Sequence, residues 1–108
     1  MKVELNLAER ISLIEILPEE GNFITLKIIR DLKSLIGMKE TDFKKFGIVQ
    51  EGDKITWNPE GNKGVEFEIE EKSEEIIRES LEGLNKKSKL AERHLNLYEK
   101  FVRKVGEH

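Results

Sequence analysis

The sequence predicts a single α+β domain with three N-terminal helices, a small three-stranded antiparallel sheet and a C-terminal αα-hairpin. Apolar residues recur at helical spacing before residue 47, alternate with glutamates over 65–70, and return to helical spacing after residue 73. The 108 residues fit one domain, 1–108, whose core draws on the 37% of residues that are hydrophobic.

The first two helices are marked by their caps and by apolar periodicity. Asn6 suits the N-cap of the first helix, and Pro18 and Gly21 interrupt the pattern that follows it. The apolar side of this helix is expected to be Leu7, Ile11, Ile14 and Leu17. A second helix is expected from about residue 23 or 25 to 36, before Gly37. Its predicted core side is Ile24, Ile28, Leu32 and Leu35, widened by Ile29 and Ile36.

A short third helix over 41–46 is predicted to bring Phe43 and Phe46 inward and to end at Gly47. Two short strands follow, around 48–49 and 55–57, joined by a tight turn over 51–53. Three helices followed by a hairpin are similar to a winged-helix layout. The third strand is predicted to bury Val65, Phe67 and Ile69 and to expose Glu66, Glu68 and Glu70.

The C-terminal third is predicted to form two helices. Ser73 is expected to cap the first, which carries Ile77, Leu81 and Leu84 on one stripe. The second is expected over 90–105 and presents Ala91, His94 or Leu95, Tyr98, Phe101 or Val102, and Val105. A short polar connection between two amphipathic helices is typical of an αα-hairpin.

The charged residues, 38% of the chain, are unevenly distributed although the net charge is only −3. Residues 66–82 carry eight glutamates against Lys72 and Arg78, a net charge of −6. Residues 86–104 carry seven basic residues against Glu92 and Glu99, a net charge of +5. Either these two segments pack side by side and attract each other, or they form a two-signed surface for a partner.

The residues give no support for enzymatic or metal chemistry. The chain has no cysteine, which excludes disulfides and thiolate nucleophiles. Its two histidines, His94 and His108, lack the spacing of a metal-binding pair, and His94 is expected to pack within a helix. A G-x-x-G occurs at 61–64, but it joins two predicted strands and not the two helices of a KH domain, and neither a Walker A loop nor a Rossmann fingerprint is present. We therefore predict a protein that is not an enzyme and has no metal or cofactor.

The function that remains is binding, and two hypotheses name different residues. A protein partner, or a second copy of the chain, would contact the charged C-terminal hairpin or the loop after Trp57. The candidate residues are Trp57, Asn58, Lys87, Arg93, Lys100 and Arg103. Trp57 itself is expected either in the core or at this interface. Alternatively, a winged-helix-like regulator would bind nucleic acid through Lys27, Arg30, Lys44 and Lys45, or through the basic face of the last helix. The acidic turn over 51–53 opposes the second hypothesis.

Three stretches resemble a group of small proteins encoded by phages and prophages. These are 16–23 (ILPEEGNF) with its continuation over 26–32 (LKIIRDL), 55–59 (ITWNP), and 89–90 with 97–101 (KL, LYEKF). The resemblance implies a phage origin and a non-enzymatic accessory protein that binds a host or phage protein. No apolar run is long enough to span a membrane, and no signal peptide is evident. The expected location is the cytoplasm, that of the host if a phage encodes the chain.

Overall fold

The computed structural model describes residues 1–103, which form an α+β fold with two antiparallel sheets of two strands each. In chain order the elements are β1 (Lys2–Leu5), α1 (Leu7–Ile16), α2 (Phe23–Ile36), α3 (Glu40–Phe46), β2 (Val49–Glu51), β3 (Lys54–Thr56), a 3₁₀ turn (Pro59–Asn62), β4 (Val65–Glu68), α4 (Glu71–Lys86), a second 3₁₀ turn (Glu92–His94) and α5 (Leu95–Tyr98), which continues as a π turn (Glu99–Arg103). Each helix in residues 1–103 is too short or too polar to cross a lipid bilayer.

The prediction of one three-stranded sheet is wrong. β2 and β3 form a hairpin of their own, whereas β4 pairs with β1, which places Val3 opposite Phe67. β1 was not predicted, because four residues before a helix cap offer too little alternation to indicate a strand. This pairing takes Val3 and Leu5 into the core, where both side chains are buried.

The alternation along β4 is mostly as predicted. Glu66, Glu68 and Glu70 are exposed, Ile69 is fully buried and Phe67 is half-buried. Val65 is the exception, with 38% of its surface exposed. It is the first residue of an edge strand, so neighbouring side chains cover it on one side only.

A reciprocal cap begins α1 where the sequence predicts it. The Asn6 Oδ1 atom accepts from the Glu9 N–H at 2.9 Å, and the Asn6 N–H donates to Glu9 Oε1 at 3.0 Å. This capping box satisfies two groups that a helix end otherwise leaves unpaired. The helix then buries Leu13 in a core cluster shared by β1, α2, α4 and the C-terminal segment. Leu13 was absent from the predicted stripe.

Arg10 is buried in α1 and joins three elements. Its Nε atom donates to the Ile36 carbonyl at 2.8 Å, and its Nη2 atom donates to the Gly37 carbonyl at 3.0 Å. The same Nη2 atom donates to Asp42 Oδ2 at 3.1 Å. The guanidinium therefore satisfies carbonyls at the end of α2, which have no partner within that helix, and links them to the start of α3.

α4 begins before the predicted cap. Its N-cap is Glu70, and Ser73 is a buried residue within the helix. Glu71 and Glu74 occupy the first turn, where carboxylates interact favourably with the helix dipole. The predicted inward residues Ile77 and Leu81 are fully buried.

The predicted last helix is only partly regular. Residues 92–103 pass from a 3₁₀ turn through α5 into a π turn, and Val105 lies outside the described residues. Leu97 and Phe101 are fully buried, although the predicted stripe omitted Leu97, and Leu95 is exposed. The segment packs beside α4, where Asn85 Nδ2 donates to the Tyr98 hydroxyl at 3.2 Å.

Candidate functional site

α2 turns only part of its predicted apolar side toward the core. It buries Ile29, Leu32 and Ile36 as predicted, whereas Ile24 is 70% exposed and Leu35 is 38% exposed. The predicted apolar side of this helix is broad, so periodicity alone does not specify which part of it faces inward. Packing of the Ile29 side leaves the Ile24 side open to solvent.

The first turn of α2 is well capped and strongly apolar. Asn22 Oδ1 accepts from the Thr25 N–H at 2.8 Å, which holds the start of the helix in place. Phe23, directly after the cap, is 80% exposed, and Leu26 is 37% exposed. Phe23 is not among the binding residues that were predicted from the sequence. The available signal was an aromatic residue that precedes the predicted core stripe.

Two cavities follow each other along one side of α2, next to β4 and the first half of α4, and together we call them the acidic groove. Its first part, of about 380 Å³, is lined by Ile24, Thr25, Ile28, Lys72, Glu75, Ile76 and Glu79. Its second part, of about 280 Å³, is lined by Asp31, Leu32, Leu35, Glu68, Glu70 and Ser73. Five of these lining residues are acidic and one is basic. The floor of the groove is apolar and its walls are negatively charged.

The other side of α2 has the opposite charge, and we call it the basic flank. It carries Lys27, Arg30 and Lys33 beside Leu26 and Phe23. Two shallow cavities lie here, of about 600 Å³ and about 360 Å³. The larger is bordered by the chain that follows α1. One helix thus separates a negative surface from a positive one.

The four nucleic-acid candidates lie on two helices and are all exposed. Lys27 and Arg30 belong to α2, and Lys44 and Lys45 belong to α3. Arg30 Nε lies 3.9 Å from Asp31 Oδ1, and Lys45 Nζ lies 5.3 Å from the centre of the Phe46 ring. The turn of the β2–β3 hairpin, at Gly52, is flanked by exposed Glu51 and Asp53.

Trp57 and Asn58 have structural partners within the chain. Trp57 is half-buried, and its Nε1 atom donates to Asn62 Oδ1 at 3.0 Å. Its ring covers the Gly61 backbone so closely that a Cβ there would lie 2.5 Å from Cδ1. Asn58 Oδ1 accepts from the Glu60 N–H at 3.0 Å, and Asn58 Nδ2 donates to the Lys45 carbonyl at 3.2 Å.

The basic candidate residues of the C-terminal third differ in the contacts that their side chains make within the chain. Lys87 is exposed at the end of α4. Arg93 Nε lies 3.9 Å from Glu15 Oε2. Lys100 Nζ donates to Glu9 Oε2 at 2.6 Å and to the Glu4 carbonyl at 2.7 Å. Glu15 and Glu9 both belong to α1. The Arg103 side chain lies outside the described residues.

His94 has a structural role in which one of its two ring nitrogens is occupied by a hydrogen bond. It is buried, and its Nδ1 atom accepts from the Ala91 N–H at 2.9 Å. Burial lowers the pKa of His94 below its usual 6.5, Arg93 lowers it further, and Glu15 opposes the shift. The imidazole is therefore neutral near pH 7 and serves as a cap for the C-terminal segment.

The exposed apolar turn of α2, with the acidic groove on one side and the basic flank on the other, is the surface that stands out in residues 1–103. Within the same residues, no three histidine or carboxylate groups are arranged to hold a metal ion. Compared with known protein families, with characterised proteins and with solved structures, the chain has no match.

Proposed function

We propose that this chain is a non-enzymatic binding protein that contacts a protein partner through the exposed side of α2. The observation that carries the proposal is the exposure of Phe23 and Ile24 on a capped helix. Large apolar side chains exposed together are costly in water, and on soluble proteins such patches commonly mark interaction sites. An aromatic residue beside charged groups is also typical of the residues that dominate binding energy.

A phage accessory protein is the role that we propose for this binding activity. The basis for it is the resemblance of 16–23, 26–32, 55–59, 89–90 and 97–101 to small phage-encoded proteins. Such a role requires a surface that binds a partner protein, and the α2 surface offers exposed apolar residues beside charged ones. The partner would then be a host or phage protein.

The experiment that tests this function is photo-crosslinking from the α2 surface. A photoreactive phenylalanine analogue replaces Phe23 in one protein and Leu95 in a matched control, since Leu95 is also exposed but lies in α5. Proteins cross-linked only from position 23 are identified by mass spectrometry, purified and titrated with the unlabelled chain. We expect Phe23→Ser to weaken binding about tenfold or more and Leu95→Ser to leave it unchanged. Equal effects of both substitutions would contradict the proposal.

A winged-helix-like nucleic-acid-binding protein is the second candidate. The observation that favours it is the β2–β3 hairpin after three helices, with Lys44 and Lys45 exposed on α3. Acidic Glu51 and Asp53 at the hairpin turn would repel phosphate. Titration of labelled duplex DNA at increasing salt tests this candidate, because phosphate contacts make affinity fall steeply with salt. Binding that Lys44→Gln and Lys45→Gln together remove would support it.

A further inference from the structure

The floor of the acidic groove has the composition of a helix-binding site. Ile24 and Ile28 come from α2, and Ile76 comes from α4. Leu35 extends the apolar floor into the second part of the groove. An amphipathic helix binds such a surface through apolar side chains at i, i+3, i+4 and i+7.

The walls restrict the charge of what can bind. Glu75 and Glu79 border the first part, and Glu68 and Glu70 border the second. Three of these four are exposed and Glu75 is half-buried, so their charges act at the mouth of the groove. Lys72 is the one basic residue that lines the groove, against five acidic ones, so the net charge is negative, which favours lysine and arginine and disfavours carboxylates and phosphates.

The groove also has a suitable length. Its two parts follow each other along α2 from Ile24 to Leu35, a distance of about 17 Å at 1.5 Å per residue. A bound helix of about three turns matches this span. The closest alternative, an acidic helix, fits only the basic flank on the opposite side of α2.

We infer that the acidic groove binds a basic amphipathic helix of a partner protein. The apolar side of that helix lies on Ile24, Ile28 and Ile76, and its lysines or arginines lie beside the glutamates of the walls. This inference rests on the proposed function and extends it by naming the chemical class of the bound segment and the side of α2 that holds it.

An unbiased peptide selection tests the inference. A phage-displayed library of random peptides, each about 16 residues long, is panned against the full chain. Parallel selections use a groove variant, Ile24→Ser with Glu75→Gln and Glu79→Gln, and a matched variant of the basic flank, Lys27→Gln with Arg30→Gln. We expect enrichment of peptides that combine lysine or arginine with leucine, isoleucine or phenylalanine at helical spacing. The groove variant should lose this enrichment and the flank variant should retain it.

The strongest peptide is then labelled and titrated by fluorescence anisotropy. Its Kd should rise about tenfold or more in the groove variant and stay within about twofold in the flank variant. Raising the salt concentration should weaken binding to the wild-type chain. If Ile24→Ser reduces the helical signal in circular dichroism, the charge-only variant Glu75→Gln with Glu79→Gln replaces it, with an expected rise of about threefold or more.

Three results would overturn the inference. The first is enrichment of acidic peptides or no enrichment at all, and the second is equal affinity for the wild-type and groove variants. The third is a dimer in sedimentation that the groove variant abolishes, because the occupant would then be a second copy of the chain. If a cross-linked partner depends on Phe23 but touches it through a segment without basic residues, the proposed function stands and this inference fails.

Discussion

Replacement of Arg10 by Met should destabilise the fold more than any change at the α2 surface. Methionine keeps much of the buried aliphatic stem but removes the guanidinium. The Ile36 and Gly37 carbonyls then lose their donors, and Asp42 loses its cation. The contact between the Arg10 guanidinium and the Phe67 ring, whose centre lies 5.2 Å from Arg10 Cζ, is lost as well.

The expected cost follows from the burial of these groups. The Arg10 side chain is only 4% exposed, so water cannot replace the lost donors without opening the structure. Removal of one partner from a buried charged network costs about 3–5 kcal/mol. A domain of this kind has a total free energy of unfolding of about 5–15 kcal/mol. The substitution should therefore remove a large part of the stability.

Urea unfolding followed by circular dichroism measures this loss. The midpoint should fall while the slope stays constant, because the same surface is exposed on unfolding. Arg30→Met is the matched control, since Arg30 is exposed and its ion pair with Asp31 should contribute about 0–1 kcal/mol. A loss below about 1 kcal/mol for Arg10→Met would refute the reasoning. It would mean that the three hydrogen bonds contribute little beyond their desolvation cost.

The remaining predictions concern titration, close packing and the Lys100 pair. Burial lowers the pKa of His94, so its contribution to stability should be complete above pH 6.5 and decline as the pH falls below that value; His94→Asn, which keeps an acceptor, should flatten this dependence in pH-dependent urea titrations. Gly61→Ala should lower the melting temperature, at a cost of about 1–3 kcal/mol, because its Cβ would overlap the Trp57 ring. Gly83→Ala, in an open position of α4, should raise the melting temperature by contributing about 0.5–1 kcal/mol. Lys100→Met should cost about 1–3 kcal/mol in urea unfolding, because the buried Glu9 carboxylate loses its cation and keeps only its hydrogen bond from the Asn6 N–H, whereas Lys87→Met should have no measurable effect.

The helices near the N-terminus were predictable because local signals define them. Asn6 begins α1, residues 23–36 form α2, and Gly47 ends α3 in the left-handed conformation at φ 58°. Each signal involves residues within a few positions of one another, so the sequence contains all the information needed. The pairing of β1 with β4 brings together Lys2 and Glu68, and no local pattern specifies a partner so distant in the chain.

Which part of the predicted apolar side of α2 faces the core was not predictable, for a different reason. The helix offers two apolar stripes, one through Ile24 and Ile28 and one through Ile29 and Ile36. The choice between them depends on how α2 contacts α1 and α4, and Arg10 fixes one end of that arrangement through the Ile36 carbonyl. The sequence does not indicate which carbonyl groups a buried arginine on α1 will donate hydrogen bonds to. The candidate surface was therefore hidden within the predicted core.

Three polar features that stabilise this fold are centred on α1 rather than on the surface that we propose for binding. The capping box, the Arg10 network and the Lys100–Glu9 pair all involve α1. The floor and walls of the acidic groove come instead from α2, β4 and α4. Charge reversal at Lys100 would consequently disturb the fold and any binding together, since its ammonium ties the C-terminal segment to α1. Changes at Glu75 and Glu79 should leave the free energy of unfolding nearly unchanged, so a loss of affinity in that variant reports on the groove itself.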